Sequence, residues 1–237
     1  MLARAAESIG QSQSRGFRVT DPMVRKSTSL FAEGEDLNAV RAAAEHCRAC
    51  PLWRNATQTV FGEGPDHASL MLVGEQPGAK EDIAGKPFVG PAGAVLDRAL
   101  TDAGIERRKA YVTGAVKHFK FALRGKIRLH QKPNGAEIKA CRPWLMRERA
   151  LVRPKLIVAL GATAAQSLFG KATPVGKNRG RILVLDDGTK ALVTIHPSYL
   201  LRMNDADKEP EYERFVADLR LAAPFARPEN RSAKRGG

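Results

Sequence analysis

Short apolar runs that end in glycine, each followed by a helical pattern, constrain the fold of this chain more than any other feature of its sequence. The segments Ser69 to Gly74 (SLMLVG) and Lys155 to Gly161 (KLIVALG) are the clearest of these runs. The segments Ala92 to Ala103 and Ala162 to Phe169, which come after them, follow a helical pattern. Continuous apolar runs of this length are typical of parallel strands that are buried on both faces. The sequence therefore predicts an α/β fold in which strands alternate with helices.

Further patterns extend this prediction along the chain. Strands are predicted at Ala110 to Val116, Arg181 to Leu185 and Ala191 to Ile195, and helices at Asp36 to Cys47 and Glu211 to Leu221. Asp187-Gly188 favours a tight turn between the last two strands, and Pro210 is typical of the first position of a helix. We expect a three-layer αβα domain around a central, mostly parallel four-stranded sheet. Such sheets bind ligands at the carboxyl ends of their strands.

Length and composition set the limits of this domain. A chain of 237 residues is long enough for one sizeable α/β domain, which we place at residues 36–223. Residues 1–35 and 224–237 carry little apolar periodicity, so we expect a flexible N-terminal arm and a disordered basic tail. No apolar run approaches the roughly 18 to 20 residues that span a bilayer, and the N-terminus lacks an apolar signal segment. We therefore expect a cytoplasmic protein with no membrane partner, and a monomer.

The charge of the chain points to a polyanionic partner. Lys and Arg number 39 against 25 Asp and Glu, which gives a formal net charge of +14 at pH 7. Such an excess attracts nucleic acid and makes its binding salt-dependent, but it carries no base specificity. A basic surface that serves only solubility is an equally simple interpretation, so the choice between the two depends on the site residues.

Polar residues cluster where two of the predicted strands end. The first strand runs into Glu75 and Gln76, and the following loop carries Asp82 and Phe88. Carboxylates offer acid-base or charge-stabilising groups, and an aromatic ring offers a face on which a base can stack. The last strand runs into His196-Pro197-Ser198, which places a histidine at a strand end. A Gly/Pro turn with a solvated acidic patch, and a structural histidine, are the alternative interpretations.

The three cysteines indicate a metal site. Cys47-x-x-Cys50 and Cys141 supply three thiolates, one fewer than a 4Fe-4S cluster needs. Three cysteines in a reducing compartment are more typical of metal binding or burial than of disulfides. With a histidine as the fourth ligand the same donors also suit tetrahedral zinc, so the donor types alone leave the metal open.

The segment from Lys117 to Lys139 is strongly basic. It holds seven Lys or Arg residues and a single acid, Glu137, with Phe119 and Phe121 between the basic residues. Alternating basic and aromatic side chains suit phosphate contact beside an opened duplex. A solvated charged loop is the plainer interpretation of the same residues.

Several motifs in combination resemble the uracil-DNA glycosylase superfamily. They are GEQPG with the GKPFVGPAG loop, VKHFK after the second strand, ACRPWL, LGATAA and the final HPS. The similarity covers roughly Ala44 to Leu221, nearly the whole predicted domain. Within the superfamily, GEQPG, VKHF and a basic insertion ending in RLHQKP match the UdgX branch, whose members excise uracil and stay bonded to the DNA.

This resemblance implies an iron-sulfur ligand set. The iron-sulfur glycosylases carry a cysteine in VKC, at the position where this chain has His118. The resemblance therefore nominates Cys47, Cys50, His118 and Cys141 as ligands of a 4Fe-4S cluster, with zinc on the same residues as the alternative. The implied role of the cluster is structural, because base excision needs no redox step.

The resemblance also implies a reaction and the residues that perform it. The branch has KRRIH where this chain has Lys126-Ile127-Arg128-Leu129-His130, which places His130 at the covalent nucleophile. The implied substrate is uracil-containing DNA, preferably single-stranded, whose target nucleotide leaves the stack to be reached. The implied catalytic residues are His130, Glu75, His196, Asp82 and Arg128, and the implied substrate-binding residues are Gln76, Phe88, Gly114, Ser198 and Lys126. We expect Asp82 and Gln76 to orient water, the base or His130.

One position departs from the family pattern. The second strand of the family ends in TNxVK, whose asparagine reads the uracil edge, and this chain has Gly114 there. Losing an amide that makes paired hydrogen bonds costs on the order of 1 to 3 kcal/mol in base discrimination. An altered base specificity and a noncatalytic DNA sensor are therefore the alternatives. A nucleoside hydrolase conflicts with the charge and with the missing aspartate cluster for calcium.

Overall fold

The computed structural model of the chain describes residues 35–226. The helices in this range are α1 (Leu37–Glu45), α2 (Ala79–Ala84), α3 (Pro91–Asp102), α4 (Gly135–Val152), α5 (Ala162–Phe169), α6 (Val175–Asn178) and α7 (Asp205–Arg220). The strands are β1 (Leu70–Gly74), β2 (Ala110–Gly114), β3 (Phe121–Arg124), β4 (Ile127–His130), β5 (Leu156–Leu160), β6 (Arg181–Val184) and β7 (Lys190–Thr194). Short 3-10 helices occupy Pro51–Arg54, Arg107–Lys109, Pro197–Arg202 and Ala223–Ala226.

Five strands form the central sheet, in the order β2-β1-β5-β7-β6. The first four are parallel to one another, and β6 pairs with β7 in the antiparallel sense. The predicted α/β fold and mostly parallel sheet are confirmed. The predicted number of four strands is wrong, because both arms of the hairpin around Asp187-Gly188 join the sheet and β6 becomes its antiparallel edge.

Helices cover both faces of this sheet. Alternate residues of a strand point to opposite faces, so Leu70 and Leu72 pack in one apolar cluster with α3 and α7. Met71 and Val73 point the other way and pack in a second cluster with α1, α4 and α5. The two clusters confirm the predicted three-layer αβα arrangement.

Two helices differ from their predicted bounds. Asp36 caps α1 as predicted, since its carboxylate accepts a hydrogen bond from the Ala39 amide at 2.8 Å. The helix ends at Glu45, however, so Cys47 follows it in a turn and is not carried by its last residues. Helix α7 begins at Asp205 and contains Pro210 in its second turn, so the proline does not open it. Acidic residues in the first turn favour this earlier start because they complement the helix dipole.

The folded region reaches slightly beyond the predicted limits of 36–223. Glu35 forms an ion pair with Arg147 of α4, and Phe225 packs against the apolar cluster of α3 and α7. The rest of the predicted arm and tail, residues 1–34 and 227–237, lies outside the described residues. None of the described helices combines the length and apolar character needed to cross a membrane. The cytoplasmic location and the monomeric state stay predictions.

Candidate active site

A cavity of about 800 Å³ lies at the carboxyl ends of the parallel strands. Gly74 ends β1 and is the register partner of Gly114, which ends β2, so the residues after both strands meet at one edge. The residues that follow β7 reach the same cavity. The cavity brings together most of the sequence-predicted site residues, namely Glu75, Gln76, Phe88, Gly114, His130, His196 and Ser198.

Glu75 is held in this cavity by the neighbouring strand. Thr163, at the start of α5 after β5, donates a hydrogen bond from its hydroxyl to Glu75 Oε2 at 2.8 Å. The other carboxylate oxygen, Oε1, lies 3.3 Å from His130 Nε2. The Glu75 side chain is 22% exposed and that of His130 is 50% exposed. One oxygen is thus anchored by the protein, and the other faces the group that the sequence predicted as nucleophile.

His196 has a defined proton position. Its Nδ1 accepts a hydrogen bond from the backbone N–H of Ser198 at 3.2 Å and lies 2.8 Å from the Ser198 hydroxyl. A backbone N–H can only donate, so the neutral ring carries its proton on Nε2. Burial, followed by electrostatic interaction with His130 and Arg202, lowers the pKa of His196 from 6.5 to about 4. His196 is therefore neutral near pH 7 and offers an N–H donor at Nε2.

Phe88 forms a wall beside His196. The two ring centroids are 5.8 Å apart, with the ring planes at 30°. Phe88 adopts a φ of 55°, a strained conformation for a residue with a side chain, and Arg107 supports it by donating to the carbonyl oxygens of Pro87 at 2.9 Å and Phe88 at 3.3 Å. A Cβ on Gly74 would lie 2.5 Å from the Phe88 ring, so any larger residue at the end of β1 requires the ring to move.

The basic segment contains a β-hairpin whose strands are mostly exposed. Strands β3 and β4 pair in the antiparallel sense, with Phe121 opposite His130. The connecting turn is Gly125-Lys126, and Gly125 has a φ of 60°, which tight two-residue turns favour at this position. Lys126 is exposed at the tip, outside the cavity lining.

Gln76 fastens this hairpin to the end of β1. Its Oε1 accepts a hydrogen bond from the Lys120 amide at 3.1 Å, and its Nε2 donates to the carbonyl oxygens of Lys120 at 3.2 Å and Gln131 at 3.0 Å. These contacts fix which end of the amide is nitrogen. The same nitrogen lies 2.9 Å from His130 Nε2. His130 Nε2 thus faces both the Gln76 amide and the Glu75 carboxylate, and it is a donor in one tautomer of the neutral ring and a lone-pair acceptor in the other.

Asp82 and Arg128 form a second anchor for the hairpin. The Asp82 carboxylate is fully buried and lies 2.6 Å from the Arg128 guanidinium, which is 21% exposed. Asp82 also accepts from the Thr57 amide at 3.0 and 3.1 Å. The Arg128 guanidinium lies over the rings of Phe119 and Phe121, at 5.5 and 5.3 Å. Neither member of the pair lines the cavity, so their contacts act on the strand that carries His130.

The backbone around Gly114 leaves little room for a side chain. A Cβ at this position would lie 2.9 Å from the carbonyl oxygen of Val116. The Lys117 ammonium donates to the Gly114 carbonyl at 2.8 Å and pairs with the buried Glu148 carboxylate. This stretch of chain is therefore shaped around glycine, and an asparagine could not be inserted without moving the backbone.

The predicted metal ligands lie in one region of the fold. Cys141 Sγ accepts a hydrogen bond from the Lys117 amide at 3.2 Å, and Cys47 Sγ accepts one from the Trp144 indole at 3.1 Å. Burial raises the pKa of Cys141 to about 12 and also raises that of Cys50. Cys50 packs against the small apolar cluster that contains Cys141.

His118 can present one ring nitrogen to a metal. The Thr59 hydroxyl donates to the Ala44 carbonyl at 3.2 Å and lies 3.0 Å from His118 Nε2. In the tautomer in which the hydroxyl gives its proton to Ala44 and accepts from Nε2–H, the lone pair of His118 is on Nδ1 and available to a metal. The donor chemistry thus fits a metal group. Within residues 35–226, however, no three of the His, Cys, Asp and Glu side chains are already arranged around a common metal position.

Two supporting residues were missed by the sequence analysis. Thr163 lies directly after the end of β5, so the rule that sites form at the carboxyl edge of a sheet could have identified it. Arg107 reaches the Phe88 loop from a 3-10 helix that no pattern predicted.

Comparison with known proteins agrees with this architecture. A family model described as the uracil DNA glycosylase superfamily matches residues 61–220. The type-4 uracil-DNA glycosylase of Thermotoga maritima is 35% identical over 202 residues, which cover 84% of this chain and 100% of that protein. The enzyme of the same name from Pyrobaculum aerophilum is 33% identical over 174 residues, covering 70% of this chain and 85% of that protein. The type-4 uracil-DNA glycosylase of Saccharolobus solfataricus is 35% identical over 175 residues, which cover 70% of this chain and 78% of that protein.

The matched region runs from before β1 to the last residue of α7, and so includes every strand of the central sheet and the cavity residues Glu75, His130 and His196. The chain belongs to the uracil DNA glycosylase superfamily.

Proposed function

We propose that this protein excises uracil from DNA and then captures the DNA by a covalent bond from His130, as in the UdgX branch. The observation that carries the proposal is the position of His130 Nε2, which lies in the cavity 3.3 Å from the Glu75 carboxylate and 2.9 Å from the Gln76 amide nitrogen. The names of the relatives support uracil excision, and the capture step rests on His130.

Excision separates charge within the cavity. The bond between C1′ of the sugar and N1 of uracil breaks, and its electron pair leaves with the base. The Nε2–H of neutral His196 can donate to the base oxygen that becomes negative, and the Glu75 carboxylate stabilises the positive sugar. The nucleotide must first leave the stack, with Phe88 offering a face for the flipped base.

Capture uses the lone pair on His130 Nε2. The lone pair forms a bond to C1′, the ring becomes positively charged, and the proton on Nδ1 leaves to solvent, which reaches the half-exposed side chain. The product is a neutral imidazole bonded to the sugar. Without this histidine, water would attack C1′ and release an abasic site.

A metal cluster completes the proposal. Cys47, Cys50, Cys141 and His118 would hold a 4Fe-4S group, which would join three distant segments of the chain as a structural link. Purified protein should contain iron and acid-labile sulfide and absorb visible light. Colourless protein with one zinc per chain would assign the same donors to zinc.

Which base the protein excises is a separate part of the proposal. Gly114 offers no amide to read the uracil edge, and its tight backbone excludes one. An altered specificity toward another deaminated base is therefore the second candidate function. Oligonucleotides that carry uracil, hypoxanthine or thymine, in single and double strands, separate it from uracil excision.

The experiment that tests capture compares three proteins on a uracil-containing single strand. We expect wild-type protein to give a shifted band on a denaturing gel, because the bond survives denaturation. His130→Ser should give no shifted band but an alkali-labile strand, since water replaces the imidazole. His67→Ser, at an exposed histidine outside the cavity lining, is the matched control and should behave as wild type. A shifted band with His130→Ser would contradict the assignment.

A further inference from the structure

We infer that the tip of the β3-β4 hairpin packs aliphatic side chains against the unstacked bases that flank the target nucleotide, and that this contact makes single-stranded DNA the preferred partner. The inference rests on the proposed function, because it takes the cavity beside His130 as the site of the target base.

The tip exposes aliphatic side chains on both faces of the hairpin. Residues paired directly across the strands share a face, so Ile127 lies beside Arg124, and Leu129 lies beside Ala122 on the outer face. Leu123 lies on the inner face, opposite Arg128. Leu123 is 69% exposed, Ile127 64% and Leu129 39%. Such side chains contribute little to the stability of the fold, so Leu123 on one face and Ile127 on the other are both available for contact with a partner.

The hairpin is held at its base, so the tip projects from a fixed position. A two-stranded hairpin is only marginally stable alone in water. Here the Gln76 amide bonds the backbone at both ends of the hairpin, and Arg128 ties β4 to the buried Asp82. His130 lines the cavity at the base of the hairpin, so the exposed tip continues directly from the proposed target site.

The positive charge around the tip favours DNA as the binding partner. Arg124 and Lys126 flank the aliphatic residues at the turn, and Lys132 lines the cavity just beyond His130. A second copy of the chain would bring these cations against one another in a protein of net charge +14. DNA offers both of the surfaces that this tip complements, phosphates for the cations and base faces for the aliphatic side chains.

The two kinds of contact respond differently to strand type. Phosphates are available in single and double strands, so the cations contribute to both. The faces of bases are covered by stacking and pairing in a duplex and are free in a single strand. The aliphatic tip should therefore stabilise the complex with single strands selectively.

The test uses the double variant Leu123→Ser/Ile127→Ser and a matched control, Val184→Ser. Val184 is 65% exposed and pairs with Lys190 at the amino end of β7, the sheet edge opposite the cavity. The probes are short single-stranded and duplex oligonucleotides with a tetrahydrofuran abasic-site analogue, so no chemistry occurs. We expect the Kd of the double variant for the single strand to rise about tenfold, with a change below about twofold for the duplex. Val184→Ser should bind both probes as wild type does.

Three results would overturn the inference: an unchanged Kd, an equal rise in Kd for both probes, or loss of a wild-type dimer with no change in Kd. The last would assign the tip to a second copy of the chain. Unchanged thermal unfolding of the double variant shows that the fold is intact. Because these probes contain no glycosidic bond to cleave, the result is independent of the adduct test, and either idea can fail alone.

Discussion

Replacing Arg128 with Ala should loosen the strand that carries His130 from the rest of the domain. In the wild-type protein the Arg128 guanidinium lies 2.6 Å from a fully buried Asp82 carboxylate. Asp82 would keep its bonds from the Thr57 amide but lose the only cation paired with it in the described part of the chain. A buried carboxylate without a counter-charge is strongly unfavourable.

Two effects set the size of the loss. Removing one partner of a buried ion pair costs about 3–5 kcal/mol, and the partial exposure of Arg128 lowers this figure. The hairpin can also detach and let water reach Asp82, and this opening limits the loss because an isolated hairpin is marginally stable. We therefore expect the free energy of unfolding to fall by about 2 kcal/mol, with faster opening of the hairpin.

Urea unfolding and amide hydrogen exchange measure the two effects separately. In Arg128→Ala the amides of residues 121–130 should lose protection while the central sheet keeps its own, and adduct formation should slow. Arg108→Ala is the matched control, because Arg108 pairs with Glu106 on the surface, where an ion pair should have no measurable effect. Wild-type unfolding and a wild-type rate of adduct formation in Arg128→Ala would refute the anchoring role.

Two further predictions concern the Phe88 ring, which forms one side of the cavity, and His196, which offers a hydrogen-bond donor in it. Gly74→Ala places a Cβ close to the Phe88 ring. The substitution should lower the free energy of unfolding in urea by about 1–3 kcal/mol and slow excision. If neither quantity changes, the ring is free to move away. His196 has a pKa lowered from 6.5 to about 4, so below pH 6.5 the unfolded chain binds a proton that the folded protein does not. Stability should therefore fall as pH drops from 6.5 to about 4, by about 3 kcal/mol in total, and His196→Gln should remove this part of the pH dependence.

The sequence predicted the parallel strands of the central sheet because these strands are buried on both faces. A run such as Leu156–Leu160 has no polar position to disturb it, and Gly161 marks where it ends, so the predicted and observed bounds differ by one residue at each end. Helix α5 matches its predicted bounds for the same reason, since glycines flank it on both sides. Positions at the carboxyl edge, including Glu75 and His196, followed from these strand ends alone.

The hairpin could not be predicted in the same way. Its strands are four residues each and mostly exposed, so the alternation in Ile127–His130 is too short to separate them from a charged loop. Helix α4 was missed because Pro143 interrupts its pattern, although the proline lies inside the observed helix. The Arg128–Asp82 contact joins residues 46 positions apart, and neither residue type indicates its partner. Such contacts depend on tertiary structure.

The two proposed steps, excision and capture, depend on residues from different parts of the fold. Glu75 and His196 follow strands of the central sheet, whereas His130 belongs to a hairpin that Gln76 and the Arg128–Asp82 pair hold in place. Loosening the hairpin should therefore impair capture more than excision, and the fraction of uracil released without an adduct should rise in Arg128→Ala. A parallel loss of both steps would mean that the hairpin also shapes the cavity for the departing base.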